Sequence, residues 1–184
     1  MENKFNLKNV YGLVLLAVLI ALGVVLSAFL QFRLVSDIKI DLSYIVIVII
    51  CFLYGGIIGG LSASLIAALE SLLFTSYGFS LSWTLANLEI GLIVGLVIKH
   101  NHINNKIIRH MLNILTIAVS VAIGMLLIKT LIECGLYSIP FEVKIVKNTV
   151  AFWTDLVCML IGYFILLPVV LKMNNRPQSI SDLE

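Results

Sequence analysis

The sequence is poor in charge, in paired cysteines and in catalytic motifs, and each shortage excludes something. Charged residues make up 12% of 184 positions and nearly cancel, at +2. No basic face is left over for a nucleic acid, and too little charge is available to coat a soluble domain. Cys51, Cys134 and Cys158 are odd in number and scattered, with no CxxC and no nearby His, which argues against a disulfide framework and a metal site. GxxxxGK[ST], HExxH and GxSxG are all missing, so a P-loop ATP site, a zinc protease and a serine nucleophile elbow are excluded. His100, His102 and His110 gather in one connecting segment, far from the acidic residues, where solvated roles outweigh catalysis. No cofactor and no enzymatic activity are expected.

What is present in excess is apolar surface. The chain is 61% hydrophobic, with a mean hydropathy of +1.12, the signature of an integral membrane protein. Lipid leaves unpaired backbone groups unsatisfied, so the apolar runs are expected to be helices. The expected fold is an all-α, six-helix bundle spanning 10–172, between short tails at 1–9 and 173–184. The first run begins about ten residues in and is too long for a signal h-region, so no cleavage is expected.

Helix 1 is expected over 10–30, helix 2 over 44–53 and helix 3 from the Gly55–Gly56 turn to Phe74. Helix 4 follows over 83–98, helix 5 over 110–130 and helix 6 over 145–171. Between Gln31 and Ser43 the clustered charges mark a loop, and the alternation Ile38-Lys39-Ile40-Asp41-Leu42 makes it locally extended. Helix 2 is short for a full span. Helix 3 is dense in Gly, Ala and Ser, which places it centrally, and Gly91 and Gly95 give helix 4 a close-approach face. Ala17, Ala21 and Ala28 share a face of helix 1; from spacing alone, packing within the bundle is the first reading of that face and docking of a partner helix the second.

With both termini cytoplasmic, Lys4, Lys8, Lys99, Lys106, Arg109, Lys172 and Arg176 lie inside, against Arg33, Lys39 and Lys144 in outer loops. This distribution satisfies the positive-inside rule. Glu70, Glu89 and Asp155 then fall about four, six and ten residues below the outer helix ends. Lys129, Glu133 and Lys147 sit at those ends. Carboxylates in a membrane helix cost several kcal/mol unless they face a partner or a wet cavity, so a polar pocket opening outward is expected. Its aromatic walls would come from Tyr77, Phe79, Trp83 and Trp153, and its polar groups from Arg33, Glu70, Asn87, Glu89, Lys129, Lys147, Asn148 and Asp155. The competing reading is that Glu70, Glu89, Asp155, Lys129 and Lys147 neutralise one another as buried pairs that set helix register. No internal repeat of the kind secondary transporters carry is found.

Several segments resemble the substrate-binding S-components of energy-coupling factor (ECF) vitamin transporters. Ala17-Val-Leu-Ile-Ala21 is similar to the family's alanine motif. Phe52-Leu-Tyr-Gly-Gly-Ile-Ile-Gly-Gly60 resembles its "FGP..G" turn, with Gly56 in place of the usual proline. Gly78-Phe-Ser-Leu-Ser82 followed by Leu88-Glu-Ile-Gly-Leu-Ile-Val-Gly95 is similar to a stretch of folate-type members, with Tyr77 where proline is expected. Lys147-Asn148 also fits. The resemblance covers about 15–170. It implies a subunit in the cell membrane that captures a vitamin at its outer face, folate being the first choice. The others are riboflavin, pantothenate and a thiamine precursor. It further implies a T-component scaffold that docks on Ala17 and Ala21, two cytoplasmic ATPases, and gating by loops 31–43 and 75–82. A pterin head would be anchored by Glu89 or Asp155 and a glutamate tail by Arg33 or Lys147. A structural subunit of a membrane complex, or an intramembrane enzyme using Glu70 and Glu89, remain the other classes.

Overall fold

The structure, a computed structural model, describes residues 10–29, 32–35, 38–75, 78–101, 103–166 and 168. Both expected tails lie outside the described residues. The described residues form six helices: α1 (Val10–Phe29), α2 (Ser43–Tyr54), α3 (Gly56–Phe74), α4 (Leu81–His100), α5 (Lys106–Tyr137) and α6 (Phe141–Ile161). Five are long and apolar enough to cross a membrane, and α2, at twelve residues, is not. The alternation before α2 does produce strands: β1 (Phe32–Val35) pairs antiparallel with β2 (Ile38–Ile40), making a small hairpin on an otherwise helical bundle.

Lipid offers no hydrophobic drive for helix association, so close backbone approach has to supply it. The α3–α4 pair shows how. A Cβ built on Gly91 would stand 2.6 Å from the Gly59 carbonyl oxygen and 2.7 Å from Gly60 Cα, and one on Gly95 would stand 2.7 Å from Gly56 Cα. Only hydrogen fits there. Gly55, at φ 87, makes the break between α2 and α3 that brings these faces together.

The most enclosed helix is α2, not α3 as the small-residue count suggested: ten of its twelve residues are buried, whereas α3 leaves Ile57, Leu61, Leu65, Leu72, Leu73 and Phe74 exposed. Large β-branched residues fill the centre, and the small residues line the seam. On α1, Gly12, Gly23, Val24 and Ser27 are buried while Ala17 and Ala21 are exposed on the other side, so the alanine face does not pack within the bundle. The Tyr54 hydroxyl fixes the start of α1 by donating to the Gly12 carbonyl at 2.7 Å, and Asp41 fixes its other end by accepting from Ser27 Oγ at 3.0 Å and from Ser43 N at 2.9 Å.

Helix boundaries move at one end of the bundle in particular. The segment holding Glu133, Cys134 and Tyr137 is helical rather than loop, because α5 runs on to Tyr137 and only 138–140 connect it to α6. Ser138 stops α5 in the left-handed region at φ 53, and Pro140 opens α6 with the φ it already prefers. Glu133, expected at the outer end of a helix closing near residue 130, lies within α5 with Lys144 as its partner. The α5 helix is also interrupted by a π-turn over Ile123–Lys129, and α6 continues into another over Gly162–Leu166.

Candidate functional site

A cavity of about 680 Å³ opens at the end of the bundle where the α3–α4 and α5–α6 connections lie. One wall comes from Glu70 and Ser71 on α3, Thr75, Gly78, Phe79 and Ser80 in the connection, and Trp83 on α4. The other comes from Lys129, Glu133 and Tyr137 on α5, Ile139, and Lys144, Lys147, Asn148 and Ala151 on α6. Its size suits a drug-sized ligand, for which pockets run to about 300–1,000 Å³.

Local hydrogen bonds hold the first wall. Thr75 Oγ1 donates at 2.6 Å to the Ser71 carbonyl, Ser71 Oγ accepts from Ser80 N at 3.3 Å, and Thr84 Oγ1 donates at 2.8 Å to the Ser80 carbonyl. Gly78, at φ 70, supplies the backbone turn. These bonds hold Thr75 and Ser80 against the ends of α3 and α4.

On the second wall, the face spacing is regular. Lys129, Glu133 and Tyr137 recur every fourth residue of α5, and Lys144, Lys147, Asn148 and Ala151 share one face of α6. The π-turn sets the direction of the α5 face, since Thr130 Oγ1 reaches back five residues to the Met125 carbonyl at 3.2 Å and accepts from Asn148 Nδ2 at 2.9 Å. Lys129, at the end of that turn, places its ammonium 4.2 Å from the centre of the Trp83 ring, a cation–π contact across the cavity. Glu133 Oε2 meets Lys144 Nζ at 3.1 Å, and Glu133 Oε1 accepts from Ser82 Oγ at 3.4 Å.

Of the residues singled out from sequence, Glu70, Phe79, Trp83, Lys129, Lys147 and Asn148 lie together on this cavity. Glu70 is 1% exposed, turned into protein. Asn87 and Asp155, both buried, sit one helical turn deeper than Trp83 and Ala151, and Asn87 Nδ2 donates to the Trp83 carbonyl at 2.9 Å. Glu89 is elsewhere: its Oε2 would lie 2.9 Å from a Cβ on Gly124, and neither carboxylate oxygen has a hydrogen-bond partner among the described residues. Because α4 starts at Leu81 and α6 at Phe141, Glu89 and Asp155 lie about 12 and 21 Å from those helix starts, deeper than expected. Trp153 is 60% exposed, its ring against Phe152 and away from the cavity. Tyr77 lies outside the described residues, as does the side chain of Arg33, whose backbone belongs to β1.

From sequence, Thr75 and Ser80 are expected only within a gating loop and Glu133 only at a helix end, and Ser71, Tyr137, Ile139, Lys144 and Ala151 are not expected at the site. The signal for Glu133 and Tyr137 was their four-residue spacing from Lys129, obscured by treating charge as the end of a helix.

No curated protein sequence matches the chain. A solved structure described as a crystal structure of FolT bound with folic acid superposes with a TM-score of 0.62 at 17% identity, covering 85% of this chain and 95% of that one. At that identity the likeness speaks for the fold. The family described as ECF-type riboflavin transporter, S component, matches residues 7–175. The chain therefore belongs to the family of ECF-type riboflavin transporter S components, as a multi-pass membrane subunit that binds a vitamin and works with an ECF module.

Proposed function

We propose that the chain captures a water-soluble vitamin with an acidic tail, folate in the first place, from outside the cell membrane, with the cavity facing outward and both termini cytoplasmic. The observation that carries this reading is the composition of the cavity: Phe79, Trp83 and Tyr137 beside three lysines and two glutamates. A pterin presents adjacent N–H donors that one carboxylate accepts as a pair, a role for Glu70, while Lys129, Lys144 and Lys147 suit the tail carboxylates. Asn87 and Asp155 shape the floor. Arg33 and Tyr77, carried by the hairpin and the α3–α4 connection, are the candidates for closing over the ligand.

Riboflavin is the second reading, favoured by the description of the matching family. Titrating the purified protein with folate, riboflavin, pantothenate and a thiamine precursor separates them. Folate is expected to bind tightest; the absence of any submicromolar ligand would refute vitamin capture.

For uptake, the exposed Ala17–Ala21 face of α1 is proposed to dock a T-component scaffold that carries two cytoplasmic ATPases. Small side chains there allow a partner helix to come close. Ala17→Trp is expected to abolish co-purification with the scaffold while vitamin binding persists. Loss of both would place that face inside the fold instead.

A further inference from the structure

Glu133 occupies an unusual position for a carboxylate in a site meant for acids. Its Oε2 pairs with Lys144 at 3.1 Å, its Oε1 accepts from Ser82 at 3.4 Å, and the Glu133 and Lys144 side chains are only 12% and 20% exposed. Both residues line the cavity, where Lys129, Lys144 and Lys147 stand against Glu70 and Glu133. An ammonium group withdrawn from water is costly unless an opposite charge accompanies it. Without a ligand, Glu133 supplies that charge to Lys144.

We propose that Glu133 is an internal stand-in for a ligand carboxylate. It neutralises Lys144 while the cavity is empty, yields that contact when an acidic ligand arrives, and regains it as the ligand leaves. Ser82 already holds the other carboxylate oxygen, so the displaced group keeps a partner. The consequence is an affinity set below what the lysines alone would give, and a faster release. This rests on the acidic-vitamin reading above.

The test is calorimetric titration of the purified protein with folate and with 6-hydroxymethylpterin, which carries the same ring system and no carboxylate. Glu133→Gln removes the charge and keeps an oxygen that accepts from Ser82. It is expected to tighten folate binding about three- to tenfold, with slower dissociation, and to leave the pterin within about twofold. Unchanged or weakened folate binding in a variant that retains its thermal midpoint overturns the inference, as does equal tightening of both ligands. Should Glu133→Gln fail to fold, Lys144→Gln decides: weakened folate with unchanged pterin supports the stand-in, and unchanged folate overturns it. A wild-type protein that binds no acidic vitamin removes the functional reading and this inference with it, whereas wild-type binding that ignores Glu133→Gln removes this inference alone.

Discussion

At the cavity end, Glu133 pairs with Lys144 and Lys129 rests over Trp83. At the opposite end, α4, α5 and α6 are joined by neutral groups: Asn101 Nδ2 donates to Asn113 Oδ1 at 2.8 Å, Asn113 Nδ2 donates to the Tyr163 hydroxyl at 3.0 Å, and that hydroxyl lies 2.7 Å from His110 Nδ1. Between Arg109 and Lys129 on α5, and from Asp155 to Leu166 on α6, there is no further Asp, Glu, Lys or Arg. Both ends solve the same problem, tying helices together where water is scarce. One does it with charges around the larger cavity, the other with neutral side chains beside a smaller recess of about 400 Å³ lined by Val97, His100, Asn101, Ile103 and Leu112. Charges around a cavity can be taken over by a ligand, while amides and a hydroxyl that bond one another tie the helices together.

The contrast is open to attack from each side. The largest effect is expected from the seam that supports both ends. Gly91→Leu forces a side chain against the Gly59 carbonyl and Gly60 Cα and should cost about 3 kcal/mol or more, read as loss of the monodisperse protein or a steep fall in thermal midpoint. Next, Asn113→Ala breaks the link between Asn101 and Tyr163, leaving the Tyr163 hydroxyl only His110 and Asn101 Nδ2 only the Arg109 carbonyl. A loss of about 2 kcal/mol in stability is expected, with vitamin affinity within about twofold; an affinity that collapses along with it would mean the two ends are coupled.

Glu70→Gln acts on the cavity end, and is expected to weaken ligand binding about tenfold in the folded variant. Smallest of these, Glu89→Leu removes a carboxylate that accepts no hydrogen bond among the described residues and is expected to raise stability by about 1 kcal/mol without altering affinity. A large loss of binding in that variant would put Glu89 back among the ligand's contacts.

Much of this was legible before any coordinates. Helices follow from apolar length alone, and the Gly91/Gly95 seam from residue size. Glu70 lies seven residues beyond Ala63 and three beyond Ala67, a spacing that puts it on their helix face, and all three are buried. The Glu89 and Asp155 expectations show where such reading stops: each was placed by counting from a helix end, and those ends lay elsewhere. Glu133 and Lys144 show the complementary limit. A charge in an apolar run looks like an exit from the membrane unless its partner, eleven residues on, is known to be near.

The sequence by itself determined that this is a helical membrane protein with a glycine seam and a polar cluster biased to one end, because apolar length, side-chain size and charge are local properties. Only the tertiary structure decided which polar groups share a cavity. That depends on the π-turn at Ile123–Lys129, on the 138–140 connection and on the rotation of α5 against α4 and α6. Each of these is settled by contacts between segments distant in the chain, which no local pattern records.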